Sequence, residues 1–108
     1  MAETSYRTEK WVQKFPPAEN HIRQKLEAEG LMYYEWSNGP EDTYAAHTHP
    51  FHKIIYVLQG SITFGLPGLG DQVTLHPGDR LDLPSGLVHD ALVGPEGVVC
   101  LEAHLTNR

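Results

Sequence analysis

His47-Thr48-His49 and, further along, Gly78-Asp79-Arg80-Leu81-Asp82-Leu83-Pro84-Ser85-Gly86-Leu87-Val88-His89 are the two stretches that decide how this chain folds. Side chains alternate faces along a strand, so His47 and His49 point the same way, one pleat apart. Two imidazoles on one face can touch a single cation. Gly78 and the Pro84-x-Gly86 pair mark a tight return that delivers His89 from a neighbouring strand. Three neutral ring nitrogens converging inside a β-barrel make a transition-metal site, with positions left open for water or substrate.

Outward from these stretches, the pattern after Gly30 is short strands between turn residues, the spacing of an all-β sandwich or barrel. Strands are expected over 31–36, 43–49, 53–59, 61–64, 71–75, 79–83, 88–93 and 98–105. Gly60 separates the two members of a hairpin, Gly94-Pro95-Glu96-Gly97 forms a turn, and the glycine-rich 66–71 is a loop at the barrel mouth or edge. Before Gly30, Pro16 and Pro17 open a helix whose Ala18, Ile22 and Leu26 share one face. Glu19, Arg23 and Glu27 decorate its outside, and Gly30 ends it. The apolar stripe is narrow, as befits a surface helix lying on a barrel. Residues 1–30 are thus expected to be an N-terminal strand and helix packed on a barrel of residues 31–108.

Composition sets bounds. The chain has 108 residues, room for one core. A domain this small leaves much surface unburied, which favours pairing with a copy of itself. The segment 6–15 is suited to join a neighbour's sheet edge, and a two-fold homodimer is the expected assembly. Eight basic against fourteen acidic residues argue against nucleic acid, which needs clustered Lys and Arg. No apolar run approaches a membrane span, and no basic amphipathic helix suggests a membrane surface. The polar start Met1-Ala2-Glu3-Thr4-Ser5 lacks a signal-peptide core, and Cys100, the single cysteine, has no internal disulfide partner. Together these predict a cytoplasmic protein.

At the two stretches quoted above the chain resembles the cupin superfamily. Its second motif, G-x5-P-x-G-x2-H-x3-N, is matched at Gly78, Pro84, Gly86 and His89, with Val93 in the last place. Its first, G-x5-H-x-H-x3,4-E-x6-G, is matched at His47, His49 and Gly60. Glu41 stands where that motif opens with glycine, and Lys53 stands where it has a metal-binding glutamate. The resemblance runs from Tyr44 to Leu105. It implies a double-stranded β-helix, or jelly-roll, barrel with a short N-terminal helix, and a divalent metal (Fe, Mn, Ni, Cu or Zn) at His47, His49 and His89. It does not select a chemistry, because cupins include oxygenases, isomerases, decarboxylases, sensors and storage proteins.

The other histidines divide by place. His52, after Pro50-Phe51, is either re-aimed to the metal by a bulge or left on a solvent-facing rim. His76 and His21 are expected at the surface. Val99, Leu101, Ala103 and Leu105 form an apolar strand face, so Glu102 and His104 are expected to look outward.

Lys53 is the decisive departure. The family resemblance places it inside the barrel beside the histidines. An ammonium ~5 Å from a divalent ion, at an effective dielectric of about 20, is repelled by roughly 6–7 kcal/mol. The lysine can lose its proton, swing to a carboxylate such as Glu35, Asp82 or Glu102, or serve a pocket that binds an anion without tight metal. Beside a bound metal, Lys53 is the candidate catalytic residue, as general base or as the group that orients a carboxylate. Tyr34, Trp36, Phe51, Tyr56, Phe64 and Leu87 are the expected pocket lining, suited to a small organic molecule. The functional expectation is a metal-dependent enzyme acting on a small organic acid, of oxygenase or isomerase type. The alternative is a non-catalytic small-ligand-binding or sensor module.

Overall fold

The computed structural model describes residues 5–105. In chain order the elements are β1 (Arg7–Glu9), α1 (Glu19–Ala28), β2 (Tyr33–Asn38), β3 (Thr43–His47), β4 (His52–Leu66), β5 (Asp71–Leu75), β6 (Arg80–Leu83) and β7 (His89–Leu105). All strand pairings are antiparallel. The two long strands β4 and β7 pair along most of their length and form the spine. The first half of β4 carries β6 and then β1, and its second half carries β5. The second half of β7 carries β2, and its first half carries β3.

The hairpin expected at Gly60 is instead a bend within one strand. β4 runs straight through the glycine, and the β4–β7 ladder shifts register on either side of it. The register jumps from Gly60↔Val98 to Ile62↔Val93, so the 94–97 turn is squeezed out of the ladder as a bulge. Gly60 has φ +75°, and a Cβ there would lie 1.9 Å from the Gly97 carbonyl oxygen. Only glycine allows the crossing.

Both faces of the spine are buried, which the strand alternation did not reveal. Ile55, Val57, Ile62, Phe64, Leu81, Leu83, Val93 and Cys100 face inward and make the barrel core. Ile54, Tyr56, Leu101 and Ala103 face the other way and are covered by Ile22 and Leu26 of α1. Full burial of each of these two helix side chains stabilises by about 1.5–3 kcal/mol. The helix follows an extended Ala18, and Gly30 leaves it at φ +73°, the left-handed exit expected of it.

The segment 6–15 was expected to serve a neighbour's sheet. Arg7–Glu9 instead pairs with β6 of the same chain, Thr8 opposite Leu81. Beyond it, the Trp11 ring covers Gly78, where a Cβ would meet it at 2.7 Å, and the Trp11 backbone N–H donates to buried Asp79 Oδ1 at 2.8 Å. The second motif thereby anchors the N-terminal arm. Among the described residues no helix is long and apolar enough to cross a membrane.

Candidate metal centre

The two histidine stretches meet through backbone pairing. His47, at the end of β3, is the register partner of His89, at the start of β7. Directly opposed residues in an antiparallel pair share a face, so both imidazoles enter the barrel. His49 follows one pleat later on the same side, and its carbonyl accepts the Gly86 N–H at 2.9 Å. Gly86 has φ +81°, so the glycine of the second motif supplies the turn that makes this bond. The ring centroids of His47 and His89 lie 4.5 Å apart, those of His47 and His49 4.7 Å, and those of His49 and His89 5.2 Å. One ring nitrogen from each lies within 4.8 Å of the others, a group able to hold a metal ion.

The hydrogen bonds around the rings fix which nitrogen is offered. A backbone carbonyl only accepts, so His47 Nδ1, 2.6 Å from Ala45 O, carries a proton, as does His89 Nδ1, 3.0 Å from Leu87 O. In the neutral ring each Nε2 then carries the lone pair. His89 Nε2 is buried with no hydrogen-bond partner among the described residues. A buried acceptor without a partner costs about 1–3 kcal/mol, so an orphan in this place fits a bound cation. Burial, then the charge of Lys53 and the neighbouring histidines, lowers His49 from its ordinary 6.5 to about 4. Burial likewise lowers His89, with the bond to Leu87 opposing and the His47 and Lys53 charges adding. Both rings are neutral at neutral pH, as metal ligation requires.

Lys53 points into the same pocket. Its Nζ lies 3.2 Å from His49 Nε2 and 3.5 Å from Glu102 Oε2. Of the three carboxylates within its expected reach, Glu102 is the partner. Glu102 does not look outward as the strand pattern suggested, whereas His104 is exposed. Glu102 is 4% exposed inside the barrel, and His104 sits at its rim, its ring against Glu102. The apolar face of β7 belongs to the helix-covered core, which turns the polar face inward. Tyr34 Oη donates to Glu102 Oε2 at 2.7 Å and Trp36 Nε1 to Oε1 at 2.9 Å, while His104 Nε2 contacts Oε2. Burial pushes the Glu102 carboxyl up, but His104, Tyr34 and Lys53 together outweigh it and hold the group below its ordinary value. Burial and the Glu102 carboxylate push the Tyr34 phenol well up.

These groups line a cavity of about 350 Å³ that also takes in Trp36, Tyr44, Ile55, Ile62 and Phe64. Three of the expected lining residues, Tyr34, Trp36 and Phe64, are there. The others are displaced for identifiable reasons. Tyr56 belongs to the helix-facing side of β4, Leu87 packs on the barrel core, and Phe51 is stacked between His49 and His104. His52 is neither ligand nor rim. It lies on the outer face of β4, mostly buried, 3.5 Å from Asp82. His76 and His21 are exposed as expected.

The chain matches the cupin domain family over residues 35–103 and belongs to it. Among solved structures, the polyketide cyclase RemF from Streptomyces resistomycificus is 28% identical, with a TM-score of 0.63 over 72% of this chain and 56% of that one. The DMSP lyase DddQ from Ruegeria pomeroyi DSS-3 is 26% identical, with a TM-score of 0.64 over 71% of this chain and 39% of that one. A cupin superfamily protein from Desulfitobacterium hafniense DCB-2, 14% identical, shares the fold over 99% of this chain and 84% of its own, with a TM-score of 0.62. The match thus spans little more than half of the cyclase and well under half of the lyase. No curated protein sequence gave a match.

Proposed function

We propose that this protein is a metal-dependent enzyme acting on a small organic acid by proton transfer, an isomerase or lyase type of reaction. The observation that carries the metal is the buried, partnerless Nε2 of His89 beside His47 and His49. The three histidines are the ligands in this reading, and Fe, Mn, Ni, Cu and Zn all accept such a set. A divalent ion bound there supplies Lewis acidity, undiminished because imidazoles bring no negative charge. The chain's own groups do the rest. Lys53 Nζ, a donor at the pocket wall, binds an anionic oxygen of the substrate. The Lys53–Glu102 contact gives a proton two places to reside, one of them an ionised carboxylate. Trp36, Tyr44, Ile55 and Phe64 give the pocket an apolar wall for the substrate's carbon skeleton.

A cyclase and a lyase among the similar structures support proton transfer over the oxygenase alternative. One observation favours a second reading, a binding module without catalysis: Lys53 already occupies the His49 lone pair. Elemental analysis of protein purified without chelator or metal-affinity tag separates the two. Stoichiometric metal, with metal-dependent exchange of α-hydrogens of small keto and hydroxy acids in D2O followed by NMR, supports the enzyme. Metal with substrate-dependent oxygen consumption replaces proton transfer by oxygenation. Metal-free protein that still binds such acids leaves the module.

A further inference from the structure

Register fixes an unusual pair in the pocket wall. Ile55 opposes Glu102 and Lys53 opposes His104 across the β4–β7 ladder, so Lys53 and Glu102 are diagonal neighbours on the inward face. A long side chain spans that diagonal. Lys53 stands where the first motif calls for glutamate, and Glu102 comes from the last strand, outside both motifs. An ammonium donates and never accepts, so at 3.2 Å Lys53 Nζ occupies the lone pair of His49 Nε2. A cation at that nitrogen and the ammonium exclude one another. The nearest anion able to receive the displaced charge is Glu102 Oε2, 3.5 Å from Nζ and itself held in place by Tyr34, Trp36 and His104.

We propose that Glu102 is the positioning residue of this metal pocket, taking up the Lys53 ammonium when a divalent cation claims His49. The inference rests on the metal reading above. In this arrangement Glu102 is not a ligand. It is the counter-charge that makes a lysine tolerable beside a metal. Lys53 and Glu102 cancel each other's charge and the histidines are neutral, so the ion's own charge is left to the incoming molecule. The ligand class that follows is a small anion, bound by the metal through one oxygen and by the Lys53 ammonium through another.

The test is a double-variant cycle read by Co2+ titration of metal-free protein, following cobalt absorption rather than turnover. Glu102→Gln should weaken Co2+ binding about tenfold and Lys53→Met should tighten it about tenfold, each about 1.4 kcal/mol. With Lys53→Met in place, adding Glu102→Gln should change affinity by less than about twofold, a coupling typical of contacting residues. Equal losses from Glu102→Gln in both backgrounds would overturn the inference and make Glu102 a ligand or a distant field. Should Glu102→Gln not fold, Glu102→Asp keeps the charge but withdraws it from Lys53. A threefold loss that vanishes with Lys53→Met supports the proposal, and one that persists overturns it. Wild-type protein that takes up no Co2+ breaks the metal reading and this inference with it. Wild-type binding with an additive cycle breaks this inference alone.

Discussion

β4 has a polar cluster on each of its faces, and the two contain nearly the same chemistry. Inside are His89 with an orphan Nε2, the cation Lys53 and the buried carboxylate Glu102. Outside are His52, turned to Asp82 at 3.5 Å, the cation Arg80 and the buried carboxylate Asp82. The outer set is closed upon itself. Arg80 grips Asp82 through Nε at 2.7 Å and Nη2 at 3.2 Å, and also reaches Tyr56 and Glu29. Burial raises the Asp82 carboxyl, yet Arg80 and His52 outweigh it and hold it low. The inner set opens into a cavity, adds two more imidazoles, and has a lysine shared between acceptors where the outer set has a bidentate fork. Titratable residues under cover do not make a site by themselves. Lone pairs left over, with room beside them, do.

The largest expected effect should fall on the outer cluster alone. Arg80→Met leaves Asp82 buried without its cation and should cost about 3–5 kcal/mol in urea unfolding, while Co2+ affinity stays unchanged. A shift in metal binding would mean that the two faces communicate through β4. On the inner face, alanine at His47, His49 or His89 should each weaken Co2+ binding at least a hundredfold, about 2.7 kcal/mol. His52→Ala should leave it alone, and metal loss in that variant would dissolve the distinction between the clusters. Lys53→Glu replaces a repelling charge by an attracting one and should tighten calorimetric Zn2+ binding at least tenfold, about 1.4 kcal/mol, held well below the full Coulomb swing by the new repulsion from Glu102.

The smallest effect is in pH. His49 titrates near 4 in the folded chain against an ordinary 6.5, so between those values the unfolded chain binds the extra proton. Its contribution to stability is complete above 6.5 and is lost as pH falls toward 4. Metal-free protein should therefore lose urea midpoint across that window. Lys53→Met should flatten the loss, because the lysine charge is one cause of the depressed value. A midpoint equally steep in both proteins would remove Lys53 from the electrostatics of His49.

The barrel, the helix and the gathering of His47, His49 and His89 were legible because glycines and histidines at fixed spacing admit few geometries. Glu102 was not, and the reason is physical. Alternation along 98–105 shows which residues share a face but not which face is inside, and when both faces are covered apolarity no longer marks the interior. A signal was available in α1. Its narrow stripe of Ile22 and Leu26 needs an apolar sheet face to lie on, and the Leu101–Ala103 face answers that need, leaving Glu102 to the barrel. Tyr56 was misplaced by the same ambiguity, since Ile54, Ile55, Tyr56 and Val57 are all buried and show no period. His52 was hidden differently, because its partner Asp82 belongs to β6 and only the ladder brings them together.

The pairing of His47 with His89 has a kinetic side. The ligands come from segments far apart in sequence and meet only after β3 has found β7, a contact whose loop-closure entropy makes it slow to form. A slip of that pairing by one residue would turn His47 to the outside and dismantle the triad. Metal uptake during refolding should accordingly trail the recovery of β-sheet signal, and a cobalt spectrum would report the moment at which the strands settle into their native alignment.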